Sequence, residues 1–418
     1  MACSGRLIQH TSPMALEVRT IHADEVELWT AALRHGFLDT PRPGEGAFWF
    51  EQRDLGRTRG AFDGDGIVGT LRSFASELTM PGGTLLPVSA LTNVTVTATH
   101  RRQGLLRRMI SEDLRDSAER GESASILIAS EYPIYGRFGY GPATEVTDWE
   151  VDCQAARFRE PGAGTVNLVA PDEARRVAPM LWDRVRRARP GGITRDDFFW
   201  DLITGVRQAP QEEKSHRLWV VCREAGEPSG YAVYTIDKKW ESYRPLGVLE
   251  VRMLAAATPA AEARLWRYCC EVDWIGTVKA TTRPVDEVLP WLLVDARAAR
   301  QTMRNDMTWV RPLDPARVLE SRSGGAPGHI VLEVADPDGY ANGRFEWTTS
   351  PEGSECRPST ASADLALSAA MLGAASLGGT SLLTLARAGL IEELAPGAVD
   401  RAAAMLAWPA PPWTGLWF

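Results

Sequence analysis

Several features that would send a chain to a membrane, a metal or an oxidising compartment are missing from this one. Its 418 residues contain no apolar run of about 18, the length a membrane-spanning helix needs. The six cysteines (Cys3, Cys153, Cys222, Cys269, Cys270 and Cys356) form no CxxC pair, and the adjacent Cys269 and Cys270 cannot easily serve one metal. Reduced, mostly buried thiols in a cytoplasmic protein are therefore expected, not a disulfide framework. The six histidines include no H-x-x-x-H pair, so no metal site is expected. Positive charge is in deficit: 46 Lys and Arg against 54 Asp and Glu give a net charge of −8. That sign excludes a dedicated nucleic-acid binder and suits attraction of cationic, amine-bearing substrates. Two phosphate loops are absent as well. There is no G-x-x-x-x-G-K-[ST], and no G-x-G-x-x-G follows the strand at 91–96. Residues 1–20 hold no apolar segment of signal-peptide length. The polar stretch 1–14, with a second methionine at Met14, reads as a disordered leader or a misassigned start.

What is present is an ordinary globular composition, 44% hydrophobic and 24% charged, in a chain too long for one core. The expected division is 15–153, 154–312 and 313–418, in a mixed α/β (α+β) fold. The first unit reads as a helix at 24–33, a Gly/Pro-rich loop at 39–46, strands at 67–74 and 91–96, a helix, and a strand at 126–129. The second repeats the rhythm: helix 171–189, strands 218–222, 232–236 and 249–255, helix 259–268. The third opens after the glycine-rich 321–328 with strands 330–334 and 343–347, and then Ala/Leu-rich helices including 363–372 and 399–407.

The most informative stretch follows the strand at 91–96. A polar turn leads to Arg101, Arg102, Gln103 and Gly104, and then to a helical pattern with apolar Leu105, Leu106, Met109, Ile110 and Leu114. A strand, a basic glycine loop and a helix start aim free N–H groups and the positive end of a helix dipole at one point. That is a seat for a pyrophosphate, with Arg101 and Arg102 adding charge and Gly104 allowing close approach. The spacing Arg101-x-x-Gly104-x-Leu106 resembles the acyl-CoA-binding motif of GNAT acetyltransferases, with Leu106 departing from the small residue usual there. A second block strengthens this. Residues 134–144 read I-Y-G-R-F-G-Y-G-P-A-T, which reproduces the hallmark run of the Eis type of GNAT N-acetyltransferase.

The resemblance implies tandem GNAT folds, a sterol-carrier-like third domain, acetyl-CoA as co-substrate and a homohexamer. In the second unit Thr258, Pro259, Ala260 and Ala261 stand where the arginines and glycine would be, so that unit is read as degenerate. Cofactor contacts are assigned to Val94, Thr95, Val96, Arg101, Arg102, Gln103, Gly104, Leu105, Leu106 and Arg107. The backbone of Val94 and Val96 would hold the pantetheine and polarise the acetyl carbonyl. Ser130 and Glu131 fall at the family's cofactor-contacting positions, and a helix start there would make them caps.

By the same resemblance Tyr135 is the proton donor, with Tyr132 and Tyr140 as near rivals. The proton acceptor is the C-terminal carboxylate of Phe418. A terminus reading Leu416-Trp417-Phe418 is odd for a free tail, and suggests an aromatic anchor that carries the carboxylate inward. Asp39 and Trp49 match the family's substrate channel, while Ile128 replaces a histidine found in some members and turns that wall apolar. The expected reaction is direct attack by a primary amine, of a polycationic (aminoglycoside-like) small molecule or of a lysine-containing acceptor. The alternatives are a lipid- or acyl-chain-binding protein working through the third domain, or a regulator built on an inactive acetyltransferase fold.

Overall fold

The computed structural model describes residues 16–160, 162–210 and 216–418, so the leader expected at 1–14 lies outside the described residues. The chain divides into two compact units, one running to Phe74 and including 91–116, the other comprising 75–90 and 117–418.

Strands Glu17–Thr20, Thr58–Asp63, Gly66–Thr79 and Leu85–Val96 are neighbours in that order, the last two contributing residues 66–74 and 91–96 to the first unit. Helix Leu105–Glu119 is joined to this sheet by polar contacts. Arg59, almost fully buried, pairs with Glu112, Asp113 and Asp116, and the Ser73 hydroxyl donates to Asp113 at 2.7 Å. An apolar stripe (Leu105, Met109, Ile110 and Leu114, all buried) completes that face, as the helical spacing required. Helix Val26–Gly36 ends against the last of the strands: a Cβ on Gly36 would lie 2.5 Å from Thr95 Cβ. The Gly/Pro-rich loop expected at 39–46 is shorter than that, because helix Glu45–Phe50 begins within it.

The second unit holds two larger sheets, a two-stranded one (Trp240–Glu241 with Arg244–Pro245) and a small strand group. In the group, Thr308–Pro312 lies between Ala124–Ile128 and Gly141–Pro142, antiparallel to both. The seven-stranded sheet runs Ala299–Asp306, Glu145–Asp152, Ile275–Arg283, Gly247–Ala256, Glu227–Asp237, Leu218–Glu224, Thr165–Val169. Gly247–Ala256 and Ile275–Arg283 are parallel and joined through helix Pro259–Cys270, a βαβ crossover. Sheet membership crosses the expected boundary near 153. Glu145–Asp152 pairs with the second sheet, while Thr308–Pro312 leaves it to pair with Ala124–Ile128.

The third sheet runs Gly353–Pro358, Gly343–Ser350, Gly328–Ala335, Leu365–Ser368, Ile391–Glu393. Here the helix expected over 363–372 is corrected. Leu365 and Leu367 are buried and alternate with Ala366 and Ser368 in a strand parallel to Gly328–Ala335; Ser368 then caps helix Ala369–Ala375. The period of two at Leu365 and Leu367 prevails over the helical preference of Ala and Leu, because pairing buries both leucines. Helix Ala369–Ala375 sits tightly on Gly141 and on Thr308–Pro312. A Cβ on Gly141 would fall 1.8 Å from the Ala370 carbonyl oxygen, and one on Gly373 2.1 Å from that of Val310.

Candidate active site

The residues picked from the sequence fall into two groups, one in each unit. In the first unit, strand Leu85–Val96 is interrupted by Asn93, whose φ of 57° breaks the regular ladder. Beyond it Thr95 turns inward: its hydroxyl meets that of Thr70 at 2.7 Å, and Thr70 also donates to the Asn93 carbonyl. Thr97 N–H donates to Val68. By strand alternation the side chains of Val94 and Val96, both half-buried, lie on the face opposite that of Thr95, whose side chain is committed to the interior.

The loop that follows is a turn with positive φ at Arg102 (65°) and Gly104 (78°). Arg101, Arg102, Gln103, Gly104 and Arg107 are exposed, Leu106 is half-buried and Leu105 anchors the helix in the core. A Cβ on Gly104 would meet no atom within 4 Å, so its φ alone calls for glycine and the space before it is open. The first intrahelical bond runs from Arg108 N–H to the Gly104 carbonyl. The N–H groups of Leu105, Leu106 and Arg107 therefore precede the helical ladder at its positive end. Among the described residues, Arg101 and Arg102 make no ion pair with the protein. This donor set fits a pyrophosphate.

Asp39 and Trp49 belong to one network, joined by two residues that nothing in the sequence singled out. Arg34 reaches Asp39 at 2.7 Å and also pairs with Glu45, which is buried and accepts from Trp49 Nε1 at 3.1 Å. The Asp39 carboxyl sits below its usual range because the Thr40 N–H and then Arg34 favour the anion. For Glu45, burial pushes the pKa up, but Arg34 and Trp49 outweigh it and hold the group ionised. Asp39 is therefore half of an ion pair, not an isolated anion.

In the second unit, strand Ala124–Ile128 leads through exposed Ser130 and Glu131 into the short helix Tyr132–Tyr135. Glu131 occupies the N-cap position without a side-chain bond, so the capping role expected for Ser130 and Glu131 is not realised. The three tyrosines separate clearly. Tyr132 is 61% exposed with its ring edge-on to Trp309; Tyr140 is fully buried with its hydroxyl bonded to Ser125 at 2.7 Å. Tyr135 has a buried ring, 6.1 Å from that of Tyr140, and no hydrogen bond from its hydroxyl to the described protein. Burial, and next the charge of Glu131, pushes its hydroxyl up to about 12 and keeps it protonated at neutral pH. Ile128 is half-buried and packs on the apolar cluster that includes Trp413 and Leu416.

The C-terminal tail is docked. Trp413 N–H donates to Pro190 and its Nε1 to Thr282, each at 2.8 Å, and its ring packs edge-on to Trp182. Thr414 is buried against the hydroxyls of Thr144 and Thr308, so the last residue of the 134–144 run holds the tail directly. Gly415 has a φ of 74°, and a Cβ there would lie 2.8 Å from Trp182. Leu416 is buried, Trp417 is 64% exposed and Phe418 is half-buried, its ring 5.9 Å from the Arg195 guanidinium. The anchor is thus Trp413 through Leu416, not the terminal aromatic pair. Arg195 was not foreseen: its Nε and Nη2 are buried without a hydrogen-bond partner among the described residues, and burial lowers it to about 9.

The seat at the second βαβ crossover differs from the first. Thr258 caps helix Pro259–Cys270 through Ala261 N–H and donates its hydroxyl proton to Glu224 at 2.6 Å. Protein groups meet that helix start, and a carboxylate stands where a phosphate would have to.

Fold and loop together define an acetyltransferase of the GNAT class. Residues 17–143 match the family model "Acetyltransferase (GNAT) domain", 191–318 match a second model of that description, and 315–415 match "Sterol carrier protein domain". An uncharacterized N-acetyltransferase of Streptomyces avermitilis is 42% identical over 96% of this chain and 98% of its own. N-acetyltransferase Eis of Mycobacterium tuberculosis is 36% identical over 79% of this chain and 80% of its own. The crystal structure of Eis1 from Mycobacterium abscessus superposes with a TM-score of 0.84 at 27% identity, covering 97% of this chain and all of that one. The chain belongs to the Eis-type GNAT N-acetyltransferases.

Proposed function

We propose that this enzyme moves an acetyl group from acetyl-CoA to a primary amine of a polycationic small molecule or of a lysine side chain. Acetyl-CoA supplies the activated thioester. Arg101, Arg102 and the N–H row of 104–107 hold its pyrophosphate, and the backbone of Val94 and Val96 aligns the pantetheine arm and acetyl carbonyl. Tyr135 donates its proton to the departing thiolate, and the terminal carboxylate of Phe418 takes the proton from the attacking amine. Asp39, Trp49 and the Arg34–Glu45 pair behind them line the amine's approach. Ser130 and Glu131 contribute at the cofactor, with Glu131 also raising the Tyr135 hydroxyl. The reaction takes place on the reduced, cytoplasmic side, in a homohexamer as in the family at large.

One observation carries the reading: of the three tyrosines in or beside the hallmark run, Tyr135 alone combines a buried ring with a protonated hydroxyl that no described residue shares. The net charge of −8 supports a cationic acceptor. The deciding experiment extends the chain. A short C-terminal tag turns the Phe418 carboxylate into a neutral amide and should cut kcat by about 10²-fold or more, with acetyl-CoA affinity nearly unchanged. A tagged enzyme as active as the untagged one in a thiol-release assay moves the base elsewhere.

A further inference from the structure

The backbone on either side of Arg195 is fixed, while the polar edge of its side chain meets no protein group. Before it, Trp182 Nε1 donates to the Ile193 carbonyl at 3.0 Å, and the Thr194 hydroxyl meets that of Ser76 at 2.9 Å. After it, Asp196 caps helix Asp197–Thr204 by accepting from the Phe199 N–H at 2.7 Å. The guanidinium lies 4.8 Å from the Phe199 ring and 5.9 Å from the ring of Phe418, the last residue of the chain. Its Nε and Nη2 are buried and, among the described residues, donate to no acceptor and pair with no carboxylate.

Other arginines of this chain show what that edge receives. Nε–H and one Nη–H point the same way and match the two oxygens of a single carboxylate. Arg34 holds Glu45 by its Nε and Nη2, and Arg304 holds Glu145 by the same two atoms. The buried Arg311 and Arg283 likewise meet Asp336 and Glu287. A buried guanidinium edge without such a partner is costly, so the edge of Arg195 calls for an anion. The titratable groups whose charge reaches it are Asp196 and Tyr231. Asp196 turns an oxygen to the Phe199 N–H, and burial pushes the Tyr231 hydroxyl up, so it stays neutral. Phe418, whose ring already lies beside the guanidinium, ends in a carboxylate of the required shape.

We propose that Arg195 is the positioning residue of the chain's end: its Nε–H and Nη2–H hold the terminal carboxylate, and its guanidinium face steadies the Phe418 ring. This role presupposes the reading of that carboxylate as the amine's proton acceptor. It answers a physical difficulty of using a chain end, which frays unless tied down. The anchor from Trp413 through Leu416 stops two residues short of the carboxylate, and Trp417 is exposed. Each carboxylate oxygen has two lone pairs, so a group held along one edge by an arginine still has room to accept a proton. The adjacent cation also keeps the carboxylate ionised to lower pH.

The test labels the phenylalanines of the full-length enzyme with carbon-13 at the carbonyl carbon. Of the eleven, only Phe418 ends in a carboxyl that titrates, so one NMR resonance reports on it. That carboxyl should titrate about one pH unit or more higher in Arg195→Met than in the unaltered enzyme, because it loses its cation. Arg195→Lys keeps the charge without the paired donors and should fall between the two. Circular dichroism confirms that each variant is folded. In Arg195→Met, kcat should fall about tenfold or more with acetyl-CoA affinity unchanged. Added to an enzyme already carrying a C-terminal tag, the same substitution should cost little more, since the tag has removed the carboxylate. An identical carboxyl titration in the unaltered enzyme and Arg195→Met would overturn the proposal, and so would a further loss of about tenfold in the tagged enzyme. If the tag alone leaves activity intact, the terminal base falls, whereas the carboxyl titration still decides the contact with Arg195.

Discussion

Tyr135 and its two neighbours illustrate how position, not residue type, decides which tyrosine suits the proposed role of proton donor. All three are tyrosines within the nine residues 132–140, yet Ser125 occupies the hydroxyl of Tyr140 and Tyr132 lies against Trp309 in the open. Tyr135→Phe keeps the ring and removes the proton. It should lower kcat about 10²-fold with little change in acetyl-CoA affinity, measured by steady-state kinetics and calorimetry. Because the Tyr135 hydroxyl is raised to about 12, the alkaline limb of the kcat profile below about pH 10 should belong to another group and survive in the Phe variant. Arg101 and Arg102 are the complementary case, exposed and without an ion pair among the described residues, so their loss should be felt in binding and not in folding. Replacing both by Ala should weaken acetyl-CoA binding by about 1.5–3 kcal/mol for each charge-assisted contact removed. Calorimetry on the folded double variant checks this, together with an unchanged Tm.

At the scale of elements, the hallmark run acts as a packing device beside its proposed catalytic role. Gly141 lets helix Ala369–Ala375 come within a Cβ radius of the strand, and Thr144 holds the tail through Thr414. Gly141→Ala cannot be absorbed by a side-chain rotation, because the obstacle is the Ala370 carbonyl. The variant should be destabilised by about 2–3 kcal/mol or more, read as a lower denaturant midpoint, with activity falling as the tail loses its seat. The run itself was plain in the sequence, but its partner was not. Residues 365–368 looked helical because Ala and Leu favour helices, whereas the parallel pairing of Leu332 with Leu365 makes them a strand. That pairing lies more than thirty positions away and leaves no local mark. Trp413 was passed over for the same reason: its partners Trp182, Pro190 and Thr282 are distant in sequence.

For the whole molecule, two GNAT domains share one chain but present different helix starts. One offers exposed arginines and an open glycine; the other offers Thr258 and Glu224 bonded to each other. Equilibrium titration should therefore give one acetyl-CoA per chain. A stoichiometry of two would show that the second start binds despite its cap and its carboxylate. The C-terminal extension belongs to this scale too, since the tail starts beyond the sterol-carrier-like core and is held by residues of both earlier sequence regions.

By itself the sequence determined the family and a helical pattern with apolar residues from Leu105 to Leu114 behind the basic glycine loop, and through the family resemblance it offered Tyr135 and Phe418 as catalytic candidates. Those features rest on contiguous residues whose spacing carries the chemistry. Only the tertiary structure decided which tyrosine hydroxyl is unshared, that Arg34 and Glu45 tie Asp39 to Trp49, and that Trp413 anchors the tail. It also decided that Thr308–Pro312 and Glu145–Asp152 join different sheets from their sequence neighbours. The reason is common to all of them: burial and strand pairing act between residues far apart in the chain, and a side chain's hydrogen-bond partners are set by what folding brings beside it.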